Sequence, residues 1–279
     1  MYVILDHSPD IELVFEKFNK LNNVNFYFNE DRWASAGTAR QIGLDNSYGE
    51  YVFFLDADDT LGEKNCLEVL AKYLDDNPNY TLIGGTLVLN NTVTGEIRTT
   101  NLLRIDCSHG ILYRRSFLIE NNIRFKSYLI NEDHDFIMQC MMKNGFQDKT
   151  LPINSYVYNA STETSLGRKY DLKTLGIAEL SCNARIFYDY YESHKKIPPA
   201  TGYFRDCITR TASLLERAKD QGEEDLLFIK TMAIISYAAI KFCVPSILDY
   251  YKQIKEWHLL PDDVIDTIID IPLKEWYDL

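Results

Sequence analysis

The sequence predicts an α/β sheet domain over residues 1–167 followed by an all-α domain over residues 168–279. Three observations carry this. Short apolar runs alternate with helical periodicities through the first half of the chain, the pattern of a mostly parallel, Rossmann-like sheet. After about Gly167 the strand signals fade and long amphipathic stretches replace them. Between these, the apolar run YVFFL stops abruptly at Asp56, Ala57, Asp58 and Asp59, so one strand delivers three carboxylates to one place.

The elements follow in order. YVIL is a short strand ending at Asp6, and Ile11, Val14, Phe18 and Leu21 then recur at helical spacing. VNFYF alternates like a strand, and a short helix follows around Gly37 to Leu44. YVFFL is apolar throughout, as expected of a central strand covered on both faces. EKNCLEVLAKYL sets Cys66, Leu70 and Tyr73 on one helical face, and Asp75, Asp76, Asn77 and Pro78 stop it. YTLIGGTLVLNNTVTGEIRTT reads as a strand and a hairpin turning near Thr94-Gly95. In the second half, DLKTLGIAELSCNARIFYDYY, YFRDCITRTASLLERAKD and SILDYYKQIKEWHLL are amphipathic helices punctuated by Pro198-Pro199, Pro245 and Pro261.

Composition narrows the function. Lys plus Arg is 29 against 41 for Asp plus Glu, a net charge of -12, which works against nucleic acid as a partner. The six cysteines show no CxxC pairing or metal-knuckle spacing, so reduced thiols in a cytoplasmic protein are expected. The start MYVILDHSPD is acidic and lacks the basic segment of a signal peptide. LLFIKTMAIISYAAIKFCV, from Leu226, nears the ~20 residues that span a bilayer, but Lys230 and Lys241 interrupt it. We expect a core helix whose two lysines snorkel to solvent or acidic partners. The alternative is a helix that docks a protein partner or lies peripherally on the inner face of the membrane.

The carboxylates carry the chemistry. Ligands bind beyond the carboxyl ends of strands in such sheets, and hard divalent cations take carboxylate oxygens together with substrate phosphate oxygens. Asp56-x-Asp58 is suited to a metal-bound diphosphate, although Asp-rich turns also cap helices. A second acidic cluster, NEDHDF, opens a helix with Glu132, Asp133, His134 and Asp135. Acidic residues there also suit the helix dipole. Two such clusters at the mouth of one sheet suggest a cation site and a base. His134 reads as a helix-surface neighbour, and His109 either lines the acceptor side or is structural. Trp33 and Tyr158 either stack on a sugar or base or belong to the core, and Arg114 or Arg115 either holds phosphate or faces solvent.

SAGTARQIGLDNSYGEYVFFLDADDTLG, from Ser35 to Gly62, and GILYRRSFLIENNIRFKSYLINEDHDF, from Gly110 to Phe136, resemble the family 2 glycosyltransferases of the GT-A fold. With YVYNASTETSLGR, the likeness runs over about residues 3–168. It implies an inverting, metal-dependent hexosyltransferase that uses a nucleotide-sugar, with UDP the expected nucleotide, and a glycan or glycolipid hydroxyl as acceptor. It assigns Asp133 as base with Glu132 beside it, and Asp6, Arg40, Asp56 and Asp58 as donor contacts. Asp58 and Asp56 would hold Mn²⁺ or Mg²⁺, with Asp59 supporting them. His109, Arg114, Trp33 and Arg168 become candidate acceptor or phosphate contacts. The family's opening strand and helix have no counterpart ahead of YVILDHSP, and Gln41 stands where Asn is usual. The alternative reading is a non-catalytic relative that binds or scaffolds.

Overall fold

In a computed structural model of the chain, the structure describes residues 1–6, 11–29, 35–101, 107–128, 130–144, 149–160, 170–194, 203–244, 247–256 and 258–272. The chain divides into two compact units, Met1–Ser165 and Leu166–Leu279. Trp33 and Arg168 lie outside the described residues.

The first unit contains β1 (Tyr2–Asp6), α1 (Ile11–Phe18), β2 (Asn25–Asn29), α2 (Ala36–Asn46), β3 (Tyr51–Phe53), β4 (Thr60–Leu61) and α3 (Cys66–Asp76). It continues through β5 (Leu82–Asn91), β6 (Ile97–Asn101), β7 (Ile111–Arg114), α4 (Arg115–Glu120), α5 (Glu132–Asn144) and β8 (Thr150–Ala160). β1 and β2 form a two-stranded parallel sheet. The larger sheet has the order β3-β7-β5-β8-β4, with β6 hairpinned onto β5.

The α/β class holds, but the expectation of a mostly parallel sheet does not. In the larger sheet only β5–β8 is parallel among the described pairings; β3–β7, β4–β8, β5–β6 and β5–β7 are antiparallel. YVFFL is likewise not a central strand. Only Tyr51–Phe53 pairs, along β7 at the end of the sheet order. Both of its faces are nonetheless covered, as its apolarity requires: Val52 and Phe54 enter the core beside Leu82, Ile111 and Tyr113, and Tyr51 and Phe53 pack against the core of Ile83 and Leu112. Phe54 meets Phe125 and Phe136 edge-on at 5.0 and 5.6 Å, arrangements favoured by the ring quadrupoles.

Two cores cover the two faces of the sheet, as the period-2 alternation requires. Leu82, Ile111 and Tyr113 face α4 and α5, while Ile83 and Leu112 face Cys66, Leu70 and Leu74 of α3. The β5–β6 turn falls where the sequence puts it. Gly95 takes φ +72°, and the Asn91 side chain accepts from the amides of Val93 and Thr94.

The second unit holds α6 (Leu172–His194), α7 (Tyr203–Gln221), α8 (Glu223–Cys243), α9 (Leu248–Glu256) and α10 (Asp262–Asp270). α8 contains most of the segment whose hydrophobicity suggests a span, and it is a core helix. Ile229, Ala233, Tyr237 and Ile240 are buried against α6, α7, α9 and α10 residues. No described helix is long and apolar enough to cross a membrane. The two lysines behave differently. Lys230 reaches Asp263 at 2.6 Å, as expected. Lys241 does not snorkel; it is buried and donates to the carbonyls of Ile268, Ile269 and Ile271 at 2.9, 2.5 and 2.8 Å. These are the orphan carbonyls at the end of α10, which favour a cation.

Candidate active site

The strand that runs into carboxylates has its positive partner inside the protein. Arg40 projects from α2, whose first turn is capped by Ser35 accepting from the Thr38 amide. Its Nη2 donates to both carboxylate oxygens of Asp56, at 2.8 and 2.9 Å, and its Nη1 donates to Glu132 Oε1 at 2.6 Å. The guanidinium also lies over the Phe125 ring, 5.8 Å from its centroid. One cation thus joins the turn after β3 to the start of α5.

Backbone fit makes this junction possible. A Cβ on Gly37 would lie 2.7 Å from the Lys126 carbonyl oxygen and 2.9 Å from Cβ and Cγ of Glu132. Only glycine lets α2 come this close to α5. Asn131 enters α5 with φ +66°, a left-handed conformation that asparagine tolerates well. Gln41 ties α2 to the segment leading into α5: its Oε1 accepts from the Phe125 amide at 2.8 Å.

Charges at the junction are unequal. Burial opposes the Arg40 charge, but Asp56, Glu132 and Asp133 outweigh it and hold the guanidinium more firmly protonated than usual. Burial, then the neighbouring Glu132, push the Asp133 carboxyl up to about 7, against the pull of Arg40. Asp133 Oδ1 also accepts from the amide of His134 at 2.8 Å.

The three aspartates of the turn have separate fates. Asp56 meets Arg40, and the Asp58 side chain is exposed. Asp59 turns inward: it accepts from the Tyr156 hydroxyl at 2.6 Å and from the Asn159 amide at 2.8 Å. Burial raises its pKa, and those two bonds oppose the rise. Among the described residues no three His, Cys, Asp or Glu side chains converge as a metal-holding group.

Other candidates fall elsewhere. Asp6 ends β1, paired with Asn29. His109 stacks on Tyr156, ring centroids 4.7 Å apart, with Tyr158 at 6.3 Å. Arg114 does not fit a phosphate contact, because its guanidinium donates to the carbonyls of Tyr80 and Leu74 and to the Tyr51 hydroxyl. His134 is not on the helix surface; it is buried, as is Asp135, which pairs with Lys126 at 3.0 Å. Sequence reasoning missed Gly37, Tyr156 and Asn159. A glycine inside a helical stretch costs about 1 kcal/mol against alanine, which signals close approach. A tyrosine in the core face of a strand needs a partner for its hydroxyl.

The model for glycosyl transferase family 2 matches residues 1–143, from β1 into α5, and so takes in every carboxylate of this junction. The chain belongs to glycosyl transferase family 2. Similar proteins include the poly(ribitol-phosphate) β-N-acetylglucosaminyltransferase TarP of Staphylococcus aureus (strain N315), 27% identical over 158 residues, 52% of this chain and 48% of TarP. The chain thus spans about half the length of that relative. Similar solved structures include S. aureus TarS 1-349, with a TM-score of 0.59 and 18% identity over 99% of this chain and 81% of that one. Its complex with UDP-GlcNAc gives 0.54 and 16% over 99% and 82%. The fold of this family 2 member is GT-A, followed by a helical region.

Proposed function

We propose that this family 2 protein transfers a sugar from a nucleotide-sugar, UDP-linked, to a hydroxyl of a glycan or glycolipid, with inversion at the anomeric carbon. The carrying observation is the Arg40 junction, which ties Asp56 to Glu132 and so assembles two acidic clusters from distant parts of the chain. A structural cap would not need that union.

Asp133 is the base. With its pKa raised to about 7 it is partly ionised near neutral pH and still basic enough to take a proton. It removes the acceptor hydroxyl proton as that oxygen attacks the anomeric carbon. The bond from that carbon to the diphosphate oxygen breaks, and the electron pair leaves on the diphosphate. Arg40 holds Glu132 and Asp56 in place and lowers the pKa of Asp133 relative to an uncompensated cluster. Asp58, with its exposed carboxylate, and Asp56, whose oxygens keep lone pairs beside their Arg40 bonds, offer the hard oxygen donors that would hold a divalent cation together with substrate phosphate. Bound there, Mn²⁺ or Mg²⁺ would neutralise charge on the departing diphosphate.

UDP-GlcNAc is the first donor to test, because TarS was crystallised with it and TarP is named for N-acetylglucosamine transfer. A panel of nucleotide-sugars with Mn²⁺, read by release of free nucleoside diphosphate, tests the reading. Release from a UDP-sugar supports it. No release and no nucleotide binding from any donor favours the non-catalytic alternative.

A further inference from the structure

We propose that Tyr156 is a positioning residue whose hydroxyl sets the place of the Asp56–Asp58 turn against strand β8. This rests on the reading that those carboxylates receive the donor.

The turn is fixed from three sides. Upstream, Phe54 is anchored in the aromatic core. Downstream, β4 zips onto β8 with Thr60 opposite Val157 and Leu61 opposite Tyr156. The amides of Gly62 and Glu63 then donate to the carbonyls of Ser155 and Asn154 at 3.2 and 2.7 Å. A Cβ on Gly62 would lie 2.1 Å from the Asn154 carbonyl oxygen, so this approach requires glycine.

The middle of the turn rests on side chains of β8. The Asp56 amide donates to the Tyr156 hydroxyl at 3.2 Å, and that hydroxyl donates to Asp59 Oδ2 at 2.6 Å. The Asn159 amide donates to Asp59 Oδ1 at 2.8 Å, and its Nδ2 donates to the Asp58 carbonyl at 2.9 Å. Asp59 is thereby drawn inward while the Asp58 side chain stays exposed.

Packing alone does not explain this tyrosine. Its ring is wholly buried and stacked by His109, and phenylalanine would fill the same volume. Both bonds of its hydroxyl run to the turn and neither to the core. The hydroxyl therefore serves the turn.

Tyr156→Phe keeps the ring and removes those two bonds. In the unliganded protein, hydrogen exchange at the Asp56 amide should quicken about tenfold or more. Mn²⁺-dependent UDP affinity should fall by about tenfold, the scale of one lost hydrogen bond to a charged group. The donor KM should rise by more than kcat falls, because Asp133 sits on another element. Asn159→Ala, at a half-exposed position, frees the Asp58 carbonyl and should weaken UDP binding in the same direction; it keeps the test open if Tyr156→Phe does not fold. Wild-type protein that binds no UDP sinks the donor reading and this proposal with it. Wild-type binding matched by both variants sinks only this proposal, as does a lowered melting temperature with unchanged affinity and exchange.

Discussion

Replacing Arg40 by Gln removes a cation that Asp56, Glu132 and Asp133 share. The pairs are largely shielded: side-chain exposure is 12% for Arg40, 31% for Asp56 and 10% for Glu132. Removing one partner of a buried ion pair leaves uncompensated charge and costs about 3–5 kcal/mol, of which the partial exposure of Asp56 leads us to expect about 3 kcal/mol near pH 7. The loss depends on pH through Asp133. Its folded pKa is raised, so its contribution to stability is full when it is protonated, at low pH, and is lost as pH rises through the folded value of about 7. Arg40 lowers that value, so Arg40→Gln lifts it further and the variant loses stability over a window extending above pH 7. The difference between wild type and variant should therefore be larger at pH 8 than at pH 5.5. Denaturant unfolding at both pH values measures it. Arg40→Lys should recover only part of the loss, because an ammonium cannot reproduce the guanidinium fork to two carboxylates. A loss below about 1 kcal/mol, the level of exposed pairs, or an equal loss at both pH values would refute this account.

Three further outcomes follow. Asp133→Asn should keep UDP and metal binding but lower turnover by about 10²–10⁴-fold; wild-type kcat/KM should rise with pH towards a plateau above about 7, and near-wild-type turnover in the variant would place the base elsewhere. Asp58→Asn should abolish Mn²⁺-dependent UDP binding in calorimetric titration with little change in melting temperature, because that side chain is exposed; unchanged affinity counts against its role. Lys241→Met should strand the three carbonyls at the end of α10 and cost about 1–3 kcal/mol, with UDP affinity unaltered; full stability in thermal unfolding would mean water replaces the ammonium.

The local pattern carried much of this molecule. Helical periodicity announced the second unit, and strand alternation with an Asn91–Gly95 turn announced the hairpin. The two acidic clusters were legible because each has a simple local role as a cap or a helix start, yet both fall at the mouth of one predicted sheet. Strand direction and order were not legible, because pairing is non-local: YVFF is as apolar at the end of a sheet as at its centre, since Val52 and Phe54 enter one core while Tyr51 and Phe53 pack on the other. Lys241 misled for the same reason, as its acceptors lie 27 to 30 residues ahead at the end of another helix.

The turn after β3 shows the limit most plainly. Asp56, Asp58 and Asp59 are the same side chain within four positions, and no propensity separates them. Their surroundings do. Arg40, 16 residues earlier, takes Asp56, while Tyr156 and Asn159, 97 and 100 residues later than Asp59, take that carboxylate inward. Asp58 is left at the surface between two neighbours whose charges are already answered. Repulsion among three close carboxylates would otherwise tend to open the turn. Holding two of them from opposite sides leaves the third exposed, with its backbone held through the Asp58 carbonyl, the arrangement the proposed cation and diphosphate site would need without rearranging.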